Sequence, residues 1–547
     1  MAISILQTAT ATFASGSSTV GVTITVTAGS VLHVYGTWSF QNASPDIGNT
    51  QGGVADNKNG TYCPICRVDN GTLVAKHWYV ENAAAGSTTI TLTCNDIASN
   101  LAIYVEEIGG LPTTGTLVGR SYNSQASPGT GTDAVTSGTA TLVAGSQIIC
   151  AASINAAIGT APTAGTGFTT DGTNPTWLAA HARQESLVTS AGGNTAATFT
   201  AVTGTNAHLT LMAVFGTAVN SGTGGYISND GTNVIHTFVT TGTFTPSQSL
   251  TIDSLVVAGG GGGGSDPAGG QGGGGGGGGG VLYTTGSAVT AQAYTITVGT
   301  GGTDTVTDGG HGNNGGNSSI SILSLTAIGG GGGANTKSAG ANNGAAGGSG
   351  GGASALGSVS ATGGTATGGQ GNAGGNCTPG GAVTNPGGGG GGGAGAAGAT
   401  NTTADDVGGY GGDGVSNSIT SCATYYGGGG AGAGDLIGVA GDDYGGKGGG
   451  GSANGTGGVG NNAESNTGGG GGGTGADGVT TAGHGATGIV IIRYPISGGG
   501  GGTASTSVDV TGTFTNVVDG NILIGGVFEQ LIEIDICISG VWNKLTR

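Results

Sequence analysis

Charge is scarce in this chain. Only 7% of its 547 residues are Asp, Glu, Lys or Arg, and only ten are basic. Without a basic cluster there is no surface to neutralise a phosphate backbone, so no nucleic acid is expected as a partner. Long apolar runs are missing too. No stretch approaches the roughly eighteen apolar residues of a membrane-spanning helix. The opening "MAISILQTATATFASGSSTV" has neither the basic start nor the continuous apolar core of a secretory signal. Seven cysteines at irregular spacing make no disulfide framework. With eleven prolines and no strict third-position glycine, collagen is excluded. Low charge also argues against disorder, since disordered chains are rich in charged residues. Nowhere is a helical period sustained with caps, which leaves β structure.

Glycine, by contrast, is present in excess: 132 residues, of which roughly a hundred lie between Gly222 and Gly502. "VVAGGGGGGSDPAGGQGGGGGGGGGV" (Val256–Val281) is almost all backbone. Each glycine loses about 0.5–1 kcal/mol more than alanine in conformational freedom on ordering. A compensating interaction specific to bare backbone is therefore required.

Composition divides the chain into four parts. Residues 1–220 read as an all-β, jelly-roll-like sandwich that attaches or spaces the protein. In "TVGVTITVTAG" Val20, Val22, Ile24 and Val26 alternate, and "STTITLTC" repeats the pattern with Ile90, Leu92 and Cys94. Trp38, Trp78 and Trp177 read as core. Residues 221–495 are glycine-rich, bracketed by the β-type segments "NVIHTFVTTGTFT", "LTIDSLVVAGG", "YTITVGTGG" and "TGIVIIRYP". A short linker, 496–504, leads to a small β domain, 505–547, that ends in an aromatic clamp at Trp542. About forty residues is too few for a secure core, so this ending is expected to pack on a neighbour.

Polyglycine-II geometry answers the glycine question. With three residues per turn and no internal hydrogen bonds, its backbone groups point outward on every side. Packed side by side, such helices satisfy one another, at about 0.5–1.5 kcal/mol net per bond. Only glycine fits the inner positions. The polar insertions between runs then become tip loops on a stiff support, where recognition usually sits.

The brackets "IHTFVTTGTFT", "LVVAGGGGGG", "YTITVGTGG" and "TGIVIIRYP" resemble glycine-rich domains of bacteriophage tail-fibre and minor tail proteins. In the related tip adhesins of T-even phages, packed polyglycine-II helices carry host-binding loops. The amino-terminal "GVTITVTAGSVLHVYGTWSF" is similar to β-sandwich domains of phage structural proteins, and "ISGVWNKLT" to the ends of many tail proteins. Unlike the tip adhesins, this chain has large β domains flanking the glycine region. The resemblance implies a non-enzymatic virion protein, displayed outside the particle, that binds a bacterial surface glycan or envelope protein. The alternative is an architectural part touching only other virion proteins. A homotrimer is common among tail fibres, and a monomeric bundle also fits. No cofactor is expected.

Candidate receptor contacts are Asp405, Asp406, Tyr410, Asp413, Tyr425, Tyr426, Asp442, Asp443 and Tyr444, all in polar insertions. Tyrosine offers rigid contact area with a polar tip, and the competing reading is that these rings cover the outer glycine runs. The acids at 405–406 and 442–443 could serve as a carboxylate pair, but hydrolysis needs an acid and a base on opposite sides of a cleft, and nothing in the sequence suggests one. "CPIC" (Cys63, Cys66) has zinc-knuckle spacing, with His77 and Cys94 as the nearby candidates for the remaining ligands. "GGYGGDGVS" and "GGTGADGVT", holding Asp413 and Asp477, match a calcium nonapeptide that works only in tandem, and they stand apart. Their aspartates read as turn residues accepting backbone N–H groups.

Overall fold

The computed structural model describes residues 2–496 with interruptions, the longest at 40–51, 126–133, 379–386 and 435–443, and backbone strands between 521 and 546. Every regular element among the described residues is a strand. No helix among them is long and apolar enough to cross a membrane.

Two long strands, Ser4–Val26 and Gly86–Gly109, run antiparallel along one another from Ser4↔Gly109 to Val26↔Gly86. Their six-stranded sheet continues through Val31–Ser39, Leu73–Val80 and Cys63–Asp69, with Gly52–Asp56 also on Gly86–Gly109. Side chains alternate along Val31–Ser39, as the pleat demands. Val31 and Tyr35 enter one apolar cluster, while Leu32, Val34 and Trp38 enter another on the opposite face. Trp38 and Trp78 are buried in that second cluster, as expected of core aromatics. The side chain of Trp177 lies outside the described residues.

A second sheet of eleven strands packs on the first. Tyr35, Tyr79 and Tyr104 of the first sheet share a cluster with Ile148, Leu211 and Phe215 of the second. Fully burying such a side chain contributes roughly 1.5–3 kcal/mol. This sheet ignores the compositional boundary at 220/221. Leu117–Gln125 lies beside Tyr226–Asn229 in parallel, and Asn233–Phe238, Ile489–Pro495, Leu250–Val257 and Val281–Val289 follow in order. Three of the four bracket segments therefore supply strands to this second sheet, whereas "YTITVGTGG" supplies Tyr294–Thr297 to a separate one. Beyond them, Phe244, Tyr294, Ile296 and Ile320 of a five-stranded sheet pack on one face of the brackets, in one cluster with Val256 and Val490.

Between the brackets the glycine runs hydrogen-bond with a period of three. Gly259, Gly260 and Gly261 donate to Gly316, Ala486 and Gly277. Gly262, Gly263 and Gly264 then donate to Asn313, Gly483 and Gly274, in the same three neighbouring runs. Run 272–280 donates into 468–474, 328–334 and 389–392, and accepts from 258–264, 349–352 and 430–433. Six neighbours thus surround one stretch of bare backbone. A Cβ on Gly276 would collide with the Gly261 carbonyl oxygen, and one on Gly278 with that of Gly427.

Met1–Ser497 and Gly498–Arg547 are separate compact units. In the second, Asn521–Ile524 pairs with Val527–Gln530, and Glu533–Ile538 with Val541–Thr546, as antiparallel hairpins. The expected linker, from residue 497 onward, and the side chain of Trp542 lie outside the described residues.

Candidate functional site

The edge strand Cys63–Asp69 and its neighbour Leu73–Val80 face a hairpin of the glycine region, Val415–Asn417 with Thr424–Tyr426. Between them lies a cleft of about 260 Å³, whose walls include Arg67, Asp69, Lys76, Tyr425, Lys447 and Glu464. A Cys66–Cys422 disulfide, with Cα atoms 5.7 Å apart, ties the two walls together. Lys76 and Glu464 form an ion pair at the cleft's inner end, with side chains 9% and 3% exposed. The Lys76 ammonium also sits 5.2 Å from the centre of the Trp78 ring.

Strand alternation separates the two tyrosines of this hairpin. Tyr425 is 42% exposed, and the Lys447 ammonium lies 5.8 Å from its ring centre. Tyr426 is 4% exposed and packs with Ile235, Leu255, Val257 and Ile491. Burial pushes its hydroxyl well above the usual tyrosine range. The expectation that Tyr426 contacts a receptor is therefore corrected: it is a core residue, because the register of the Val415–Tyr426 hairpin turns it inward. Chemically, the cleft offers one exposed ring, the cations of Lys447 and Arg67, and the carboxylate of Asp69, which stands 3.6 Å from Arg67.

Of the other expected contacts, Tyr410 is 41% exposed, at the surface of the glycine runs. Tyr444 is half-buried, and its carbonyl accepts from Gly411. Asp413 accepts the Lys447 N–H at 2.9 Å, the backbone-binding role read for it in the sequence. Asp405, Asp406, Asp442, Asp443 and Asp477 lie outside the described residues.

The four candidate zinc ligands are not brought together. Cys66 is spent in the disulfide. Cys63 and Cys94 are buried in different apolar clusters on opposite faces of the first sheet. Burial pushes the Cys63 thiol up to about 12, so it stays protonated. His77 Nδ1 instead lies 3.1 Å from His33 Nε2. Sequence reasoning missed Cys422, Lys76, Glu464 and Lys447. Their only signal was that charged residues and cysteines are few in this chain.

No curated protein matches the chain. Residues 237–495 match the family model described as a glycine-rich domain, and they run from inside the strand Asn233–Phe238 to the last residue of Ile489–Pro495. A glycine-rich domain occupies residues 237–495, hung between strands of the sheet that also builds the sandwich.

Proposed function

We propose that this chain is a non-enzymatic structural protein of a virion, of the tail-fibre or tail-tip kind, that binds a bacterial surface. In this reading a jelly-roll-like sandwich carries a bundle of polyglycine-II helices. The bundle displays tyrosine-bearing polar loops to a surface glycan or an envelope protein. The observation that carries it is the three-residue hydrogen-bonding period of the glycine runs. A backbone bonded to six neighbours is a stiff support without side chains, and such a support serves loops held at fixed spacing. Tyr410 and Tyr425 supply exposed ring area at the surface of that support. The net charge of −18 gives no general attraction to an anionic cell surface, so specific contacts must carry the binding.

The test is binding of the full chain to a panel of intact bacteria and to an array of bacterial surface polysaccharides. A Tyr410→Ser, Tyr425→Ser variant is run beside it, with folding checked by circular dichroism and melting. Loss of binding in the folded variant supports the reading. If the parent protein binds nothing on either panel, the adhesin role falls and the architectural one replaces it.

A further inference from the structure

The inner face of the first sheet carries an unusual group of polar side chains. His33 and Glu106 are direct cross-strand partners in the antiparallel pairing of Val31–Ser39 with Gly86–Gly109. Their side chains meet at 2.9 Å between Nδ1 and Oε2, and both are fully buried. Cys150, on Gln147–Asn155 of the facing sheet, is equally buried. One ligand atom from each of the three lies within 4.8 Å of the others. Behind His33, its Nε2 meets His77 Nδ1 at 3.1 Å, and the His77 ring stacks on Tyr35 with 16° between planes. Two atoms are left over: Glu106 Oε1 and His77 Nε2 are buried without a hydrogen-bond partner.

An apolar core holds such a group at a cost, because a buried polar atom without a partner destabilises by roughly 1–3 kcal/mol. We propose that His33, Glu106 and Cys150 form a structural site for a divalent cation of the zinc class, with His77 positioning His33. Imidazole, carboxylate and thiolate are the nitrogen, oxygen and sulfur donors that zinc takes in tetrahedral sites. Both oxygens of Glu106 bind, so the orphaned Oε1 supplies the fourth donor. One carboxylate and one thiolate balance the two positive charges, and the occupied site is neutral in its dry surroundings. Apart from the two oxygens of one carboxylate, donor atoms around zinc stand about 3.3–3.8 Å apart, since each bond is about 2.0–2.3 Å, so donor atoms already within 4.8 Å of one another need only a small adjustment on binding. The imidazole relay is already set for this. With Nδ1 of His33 on the metal, its Nε2–H donates to His77 Nδ1, the second-layer contact metal-bound histidines usually make. The ion would pin the two sheets of the sandwich together from within. Because the site is closed to solvent, it is filled as the chain folds.

The experiment loads the full-length protein with Zn²⁺ during refolding and measures bound metal after desalting, with Co²⁺ as a spectroscopic probe in parallel. One equivalent of metal, a sulfur-to-cobalt charge-transfer band and a melting point lowered by a strong chelator are expected. Cys150→Ser and the sterically milder Cys150→Ala should lose the band, whereas Cys63→Ser and Cys94→Ser keep it. His77→Gln should weaken the metal by about 10–100-fold while leaving the band in place. Parent protein that retains no metal, or a cobalt band that survives in a folded Cys150 variant, overturns the proposal.

Discussion

His236 and Tyr494, 258 residues apart, hydrogen-bond at 2.9 Å between the imidazole Nε2 and the phenol oxygen. They join the strand that leads into the glycine region to the one that leads out. His236 Nδ1 donates to the Gly224 carbonyl at 2.7 Å, so in the neutral ring that burial favours, Nε2 accepts from the tyrosine O–H.

That preference gives a dependence on acid. Burial holds His236 down from 6.5 to about 4, so between those values the unfolded chain binds a proton that the folded one refuses. The stabilisation is complete above pH 6.5 and is lost as the pH falls through about 4, a contribution of about 3 kcal/mol. Urea midpoints measured from pH 7 to pH 4 should fall. His236→Gln should start lower at pH 7 and fall less steeply, and parallel curves for the two proteins would refute the assignment.

The Cys66–Cys422 bond closes a loop over 356 positions of sequence. Reduction, or Cys422→Ser, should destabilise the protein by roughly 2–5 kcal/mol. A non-reducing digest should contain one linked peptide pair holding both residues. Finding both thiols free in oxidised protein would count against the bond.

Bare backbone is needed inside the runs but not at every glycine. Gly276→Ala drives a methyl group into the Gly261 carbonyl oxygen and should cost about 1–3 kcal/mol or more. At Gly368 an added methyl meets nothing within 4 Å, and Gly368→Ala should stay within about 0.5 kcal/mol of the parent. Equal melting points for the two variants would contradict the packing described.

Lys76 and Glu464 are both shielded from water. Glu464→Gln leaves a buried ammonium without its counter-charge and should cost about 3–5 kcal/mol. Combining it with Lys76→Met should recover most of that loss. A double variant no better than the single one would show that the pair does not act as a unit.

Much of the fold was legible because strand alternation is a local signal. The bracket segments, the Val20–Val26 pattern and the buried tryptophans at 38 and 78 all follow from which neighbours are apolar. The period of three in the glycine runs follows from backbone geometry alone. Register was not legible. Nothing in "TYY" says which tyrosine turns inward, because a one-residue slip exchanges the two faces. For the same reason "VEEI" gives no sign that Glu106 faces His33 while Glu107 accepts the Thr27 N–H on the other side. Cysteine spacing does not encode pairing, so Cys422 was invisible as the partner of Cys66. The sheet that runs through the 220/221 boundary was hidden because composition changes there and strand pairing does not.

Val257 and Ile489 are register partners on adjacent antiparallel strands, and the chain between them leaves and returns at the same place, rejoining the sheet once on the way at Val281–Val289. Runs must then be added or deleted in out-and-back pairs, for a single extra traverse would strand the chain at the far end. Such a pair perturbs neither of the two anchoring strands. Lineages of this protein should therefore differ in length by even numbers of glycine runs, while the pairing of the outgoing strand with the returning one stays the same.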